Sequence, residues 1–536
     1  MKLPRNAFLT KQWERIPEKR RLPVAVFATT QILFLLWWAA FFPGALSYDS
    51  ITYVWHVTTD NWESNHSVAY DGLVWLSLNT TGDLWILTLA QTIAMSATLA
   101  YCSVTLRDWG VRQRWAAVAT SVPALLPPTA VFVIFVWKDV PFVIGAILAF
   151  GAAGRLAARR ARGRQAVRDR AFYRTVGLLF LGFLMLAVFR NNGMLVAVVA
   201  APILLIALPS MRRWVLAATA VPVLIFGLLT SVIYPSAGVK TPPKDAVYAF
   251  FYADIAVAYG QRPGFFTKED KALMASIAPL SHWKGRAANC YNADWAMESP
   301  PMNRPLAAER NDELMALWQR VLKRTPDLVI GARVCRAHIA WAVFPGPKEL
   351  RANTLLSDPQ TSKTLFSYLK WNEDIKHSEY RSKLKIRPLS EPLHSVADFS
   401  WRAFKVPQLQ WLLFRGAIWC YATYAIVLLF RRRTKAKGAL ALLSVTLGLQ
   451  LTVLAANPAP LWRYMIGPIF IGIMLLPLLR AKPDFGSGDP AEPTKPEDSA
   501  QPEGATETPE ATDEPETPAP GKTAERGTTP EPNPVS

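Results

Sequence analysis

Long apolar runs recur along this chain, and clusters of Arg and Lys stand between them. A run near 20 residues matches a hydrocarbon core of roughly 30 Å at about 1.5 Å of rise per helical residue. No backbone but a helix or a closed barrel satisfies its own polar groups at that depth. The expected fold is an all-α, multi-pass membrane protein of about ten transmembrane helices. The 20 Trp and 26 Phe, within a chain that is 51% hydrophobic, fit that class.

Charge orients the runs. The formal net charge is +19, and residues 481–536 hold 13 acidic and 4 basic residues, which leaves +28 on the remainder. An excess of that size raises nucleic acid as a partner. The Lys and Arg fall between apolar runs, where positive-inside bias puts them, so no nucleic-acid partner is expected. Residues 1–22 hold seven Lys or Arg before the first run at 24–42. That flank makes 1–23 a cytoplasmic N-terminus and 24–42 a retained span. Further spans are expected at 83–106, 115–136, 141–157, 175–189, 194–209, 214–234, 409–430, 438–456 and 464–480. The basic stretches 107–114, 155–174 (eight Arg), 211–213 and 431–438 then share the inner side with both termini. Pro123, Pro127 and Pro128 should break the third span.

This topology divides the chain into 24–234 with seven spans, 235–408, and 409–480 with three. Outer loops are expected at 43–82 and 137–141. An unstructured loop as long as 235–408 would be unusual. Leu314, Leu317, Trp318, Val321 and Leu322 recur at helical spacing within it, so a mostly helical extracytoplasmic domain is expected there. The tail at 481–536 is rich in Pro, Glu and Thr and is expected to be disordered and cytoplasmic. Cys102 and Cys420 lie in apolar runs. Cys290 and Cys335 lie in the outer segment, where an oxidising compartment would allow a disulfide between them.

The outer mouth collects polar residues. The first loop supplies Asp49, His56, His66 and Asp71. The second supplies Lys138 and Asp139. Arg190, Asn191 and Asn192 end the fifth span, and Arg463 and Tyr464 open the last. Charges near membrane depth are costly and usually face a cavity or a partner. Asp49 can serve as a general base or cap the helix that follows it. Lys138 and Asp139 can work on a phosphate or form a local ion pair with Asp139 as a cap. Arg190 and Arg463 can clamp phosphate oxygens with their planar forks or snorkel to the interface. His56 and His66 lack a third ligand at metal-site spacing, so no metal site is assigned. Trp55, Trp62, Trp75 and Trp85 read as an interfacial belt or as a platform for a sugar ring. No P-loop, GxSxG, HExxH or dinucleotide fingerprint is present.

The order of these features resembles the integral-membrane GT-C glycosyltransferases, which include the protein O-mannosyltransferases and the lipid A aminoarabinose transferases. The resemblance covers roughly 24–240 and 405–480. It rests on PGALSYDS after the first span, WKDVPF in the second outer loop, FRNNG closing the fifth span, and the late LWRYMIGP turn. In NWESNHSVAYDGLVW, His66 is followed by Ser67 where bacterial members often have Pro, and Asp49 lacks a second acidic neighbour, so no subgroup is assigned. The resemblance implies inverting transfer of a sugar from a polyprenyl-phosphate donor to an acceptor hydroxyl of a glycan, lipid or protein. Asp49 would be the base, and Asp139, the second catalytic carboxylate, would orient Lys138 or contact the acceptor. Lys138, Arg190 and Arg463 would bind the donor phosphate, with His66, Asn191 and Tyr464 as further substrate contacts. No cofactor is assigned, and a divalent cation, Mg or Mn, is left open. The expected location is the cell membrane. A lipid-sugar flippase, a transporter or a non-catalytic scaffold are the competing classes. A transporter should show matching broken helices in two halves, and only the first half has an evident Pro-broken span.

Overall fold

The structure is a computed structural model that describes residues 14–346, 349, 372–483 and 485. The expected disordered tail falls outside the described residues apart from 481–483 and 485. Among the described residues every regular element is a helix, and the extended pairing is confined to two isolated bridges.

Six helices are long and apolar enough to cross a membrane: Glu18–Ala40, Trp85–Asp108, Asp139–Ala161, Arg170–Phe189, Pro209–Ser236 and Trp462–Arg480. Two bent pairs raise the number to eight if each is one span. Gln113–Leu125 and Pro127–Ile134 meet at 69°, and Pro407–Leu413 and Gly416–Thr434 at 44°. The expected ten would also need the apolar helices Met194–Ala207 and Ala439–Ala455, which are shorter. Fourteen residues of helix rise only about 21 Å, less than the roughly 30 Å of a hydrocarbon core.

Asp139–Ala161 is the hub, with 94% of its apolar window buried against 22% for Glu18–Ala40. It runs close against Arg170–Phe189 because both supply glycine at the crossing. A Cβ on Gly182 would stand 2.7 Å from Ala149 N, and one on Gly145 2.6 Å from Met185 Cβ. Small residues let helix backbones approach in this way. Helix Pro127–Ile134 ends with the carbonyls of Val133, in its last turn, and Phe135, just past it, lacking helical partners. Gln91 donates to both, at 3.0 and 2.9 Å, so the irregular backbone is satisfied inside the protein.

The segment between the first two spans is itself helical, with helices Tyr48–Thr58 and Val68–Thr81. Ser47, not Asp49, is the cap of the first. Ser47 and Ser50 form a capping box, with the Ser47 N–H donating to the Ser50 hydroxyl at 2.9 Å. Asp49 sits in the first turn with its carboxylate free for other partners.

The segment that follows Ser236 has a core of its own, built around helix Lys244–Gln261 and including Tyr252, Ile255, Met274, Trp283, Leu314 and Leu317. Leu314, Leu317 and Val321 form the buried face of helix Asn311–Arg324, and Trp318 and Leu322 pack beside them. Pro326 opens the next helix, Pro326–Arg336, at a position where its missing N–H costs nothing. Cys290 and Cys335 are joined, with Cα atoms 5.7 Å apart. Cys102 and Cys420 are free and buried.

Candidate active site

Three stretches far apart in sequence are locked together by short links. Ala45 N–H donates to Ile134 O and Val136 N–H to Ala45 O, each at 2.9 Å. The Ser50 hydroxyl donates to Val136 O at 3.1 Å, and the Trp137 indole N–H to Ser47 Oγ at 2.5 Å. These bonds set Asp49 beside Lys138. The third stretch arrives through aromatic packing, with Trp137 and Trp462 rings 6.1 Å apart and the Arg463 guanidinium 4.9 Å over Trp137.

The charged groups then form one network. Arg463 Nη1 lies 2.5 Å from Asp49 Oδ2 and 3.8 Å from Asp139 Oδ2. Arg190 Nη1 lies 2.7 Å from Asp139 Oδ1. Arg190 also stacks 4.3 Å over the Tyr464 ring. Both arginines are only 12% exposed, so neither snorkels to the interface. Arg190 meets Asp139 because the glycine-mediated helix pair is antiparallel there: one residue follows Phe189 and the other begins its helix.

Lys138 forms no ion pair with its neighbour Asp139. Its Nζ instead donates to His66 Nδ1 at 3.0 Å and lies 5.8 Å from the centre of the Tyr53 ring. Asp139 does not act as a helix cap through its side chain; both its oxygens face arginines. Burial pushes Asp49 up, but attraction to Arg463 and Lys138 outweighs it and holds the carboxyl well below the usual range. Burial and the Lys138 cation push His66 well below the usual histidine range, against the pull of Asp49. His66 is therefore neutral and able to accept from Lys138. Burial also lowers Lys138, with Asp49 and Asp139 opposing.

His56 and Asp71 stand behind this cluster. They pair with each other at 2.9 Å and are both almost fully buried, so His56 is a structural partner of Asp71. Among the described residues no group of three or more His, Cys, Asp or Glu could hold a metal ion. Asn191 is placed at the rim, where its amide donates to Ser64 O at 3.1 Å. Trp55 donates to Asp374 at 3.1 Å, and Trp75 is exposed.

A cleft of about 300 Å³ adjoins His66 and is lined by Ser64, Ser67, Asn191, Thr230 and Tyr234. That is the lower end of ligand-sized cavities. Arg463 Nε and the Tyr53 hydroxyl are buried without a hydrogen-bond partner among the described residues. Both groups belong to residues that touch the charged cluster.

One functional candidate was missed by reading the sequence. Asp294 lies on the short helix Ala293–Met297 capped by Asn292. Ala293 N–H donates to Pro458 O at 2.9 Å, and Asn457 Nδ2 to Arg336 O at 2.9 Å. The first bond pins that turn, and the second the end of helix Pro326–Arg336, to the segment leading into Arg463. Asp294 is open to solvent while Asn292 and Ala293 beside it are buried. Protein packed around its carboxyl pushes it up, Arg463 draws it down and Asp49 pushes it up. Asp294 is thus within electrostatic reach of Arg463 and Asp49. Its closeness in sequence to Cys290 was the available signal, since that bridge fixes the turn.

Comparison with family models, with curated proteins and with solved structures yields no match.

Proposed function

We propose that this chain is an integral-membrane glycosyltransferase of the GT-C type. It moves a sugar from a polyprenyl-phosphate donor to an acceptor hydroxyl on the outer side of the membrane. In this reading the chain crosses ten times with both termini cytoplasmic. The observation that carries it is the convergence of Asp49, Lys138, Asp139, Arg190 and Arg463 in one network.

The chemistry follows from charge. The acceptor oxygen attacks the anomeric carbon, and its proton passes to Asp49. The bond from that carbon to the phosphate oxygen breaks, and polyprenyl phosphate leaves with the electron pair. Configuration inverts because one displacement occurs. Arg463, Arg190 and Lys138 stabilise the charge that builds on the phosphate, the largest catalytic contribution in many enzymes. Held by Arg463, Asp49 is a weak base. A donor phosphate that draws Arg463 toward itself raises the basicity of Asp49, so binding arms the proton acceptor. Asp294 lies on the acceptor side and accepts hydrogen bonds from acceptor hydroxyls.

The test is transfer by the full chain in proteoliposomes, using radiolabelled polyprenyl-phosphate hexoses and pentoses with envelope extract as acceptor. Asp49→Asn should remain folded and lose transfer by about 10²-fold or more. Near-normal transfer by that variant would remove Asp49 as the base.

A further inference from the structure

The stretch 389–406, LSEPLHSVADFSWRAFKV, is apolar on two faces at once. Within it, Glu391–Phe404 is a helix whose side chains Ala397 and Trp401 are buried. The Trp401 ring lies 6.1 Å from Trp462, the residue before Arg463. This face therefore forms a wall behind the charged cluster. The opposite stripe is open: Leu389 is 59% exposed, Val396 63%, Phe399 69% and Val406 39%. A water-facing helix places polar residues on that side.

The position of the helix indicates what covers the stripe. It is hitched to one end of the candidate span Glu18–Ala40. Leu389 N–H donates to Ala39 O at 2.9 Å, Arg387 N–H to Phe42 O at 2.6 Å, and the His394 ring to Ala40 O at 2.8 Å. That span exposes Ile32 and Leu36 along its own outer side. At the other end the chain passes directly into the bent pair Pro407–Leu413 and Gly416–Thr434. The open stripe thus continues the apolar outer surface of two spans, at the end of the molecule that carries Asp49. Arg402, highly exposed and paired with Asp398 at 2.5 Å, supplies a charge beside the stripe.

We propose that helix Glu391–Phe404 lies in the plane of the membrane interface, with Leu389, Val396, Phe399 and Val406 seated in lipid. It forms the partition between the bilayer and the Arg463 turn. Interfacial helices of this kind bury their apolar side about 5–10 Å into the headgroup and acyl boundary. The inference does not depend on the transferase reading, because it rests on exposure and on the continuity of the apolar surface.

The full chain reconstituted in phosphatidylcholine and phosphatidylglycerol vesicles tests it. The native cysteines are buried or bonded, so Phe399→Cys, or Val396→Cys if that variant fails to fold, can carry one polarity-sensitive fluorophore. A probe at 399 should emit to the blue. It should be quenched several-fold more by lipid bearing a nitroxide at acyl carbon 5 than by aqueous iodide. A probe on Lys268→Cys, exposed in the outer segment, should show the reverse. Quenching of the 399 or 396 probe by iodide alone would overturn the proposal. Protection from both quenchers would also overturn it, and would mean that another part of the chain or a second copy covers the stripe.

Discussion

Arg463 and Asp49 lie 414 positions apart in sequence and 2.5 Å apart in space. The pair is mostly buried, at 12% and 21% side-chain exposure. Removing one member of such a pair leaves an uncompensated charge, which costs roughly 3–5 kcal/mol. Arg463→Ala should therefore destabilise strongly, and Asp49→Ala/Arg463→Ala should lose less than the sum of the two single variants. Unfolding in detergent measures the coupling. Strict additivity would mean the two side chains do not interact.

Neutralising Asp49 should have a second effect. Arg463 then has one carboxylate fewer, so undecaprenyl phosphate should bind Asp49→Asn more tightly than wild type, by about 10-fold for one nearby charge of about 1.4 kcal/mol. Arg463→Ala should bind it more weakly by at least as much. Titration of the lipid against tryptophan fluorescence reads both, and weaker binding by Asp49→Asn would contradict the arrangement.

The histidine in the cluster makes stability depend on pH. Burial and Lys138 hold His66 well below its usual value, so between that lowered value and about 6.5 the unfolded chain binds more protons than the folded one. Stability from this group is full above about pH 6.5 and falls as pH drops below it. From pH 6.5 to 5 the melting temperature should decrease by on the order of 2 °C, and His66→Gln should remove that part of the decrease. An identical pH profile for wild type and His66→Gln would refute it.

Gly182 and Gly145 decide whether Arg190 can reach Asp139. A side chain on Gly182 would meet Ala149 N at 2.7 Å, and overpacking of this kind costs about 1–3 kcal/mol. Gly182→Leu should lower the unfolding temperature and weaken undecaprenyl phosphate binding, although residue 182 is two helical turns from Arg190. Unchanged binding and stability would show that the crossing tolerates the added bulk.

Asp294→Asn should separate acceptor from donor. In the transfer assay it should raise the acceptor concentration needed for half-maximal rate by about 10-fold, the equivalent of a charged hydrogen bond of roughly 1.5–3 kcal/mol. Hydrolysis of the donor by water should continue. Loss of both activities together would place Asp294 in the structural support of the turn instead.

Much of this site is legible one residue at a time and illegible as pairs. Asp49, Lys138, Asp139, Arg190 and Arg463 stand out because each is a charge beside an apolar run. Their partners do not stand out. Sequence proximity suggests Lys138 with Asp139, yet Lys138 turns to His66 and Asp139 takes Arg190. Asp49 looks like a helix cap, yet Ser47 two residues earlier has that position. Hydropathy marks 194–209 as a span, but it cannot see that the helix stops at Ala207 after 14 residues.

The sequence by itself determined the all-helical class, the break at Pro127 and Pro128, and which ends of the apolar runs carry charge. These are local properties, fixed by side-chain hydropathy and by the lost N–H of proline. The tertiary structure alone decided which carboxylate faces which guanidinium. Ion pairing needs contact within a few ångströms, and that distance is set by the glycine crossing, the Ala45 bridge and the packing of Trp137 on Trp462. Asp49 and Arg463 become one unit because three remote segments are held against each other, which no single segment encodes.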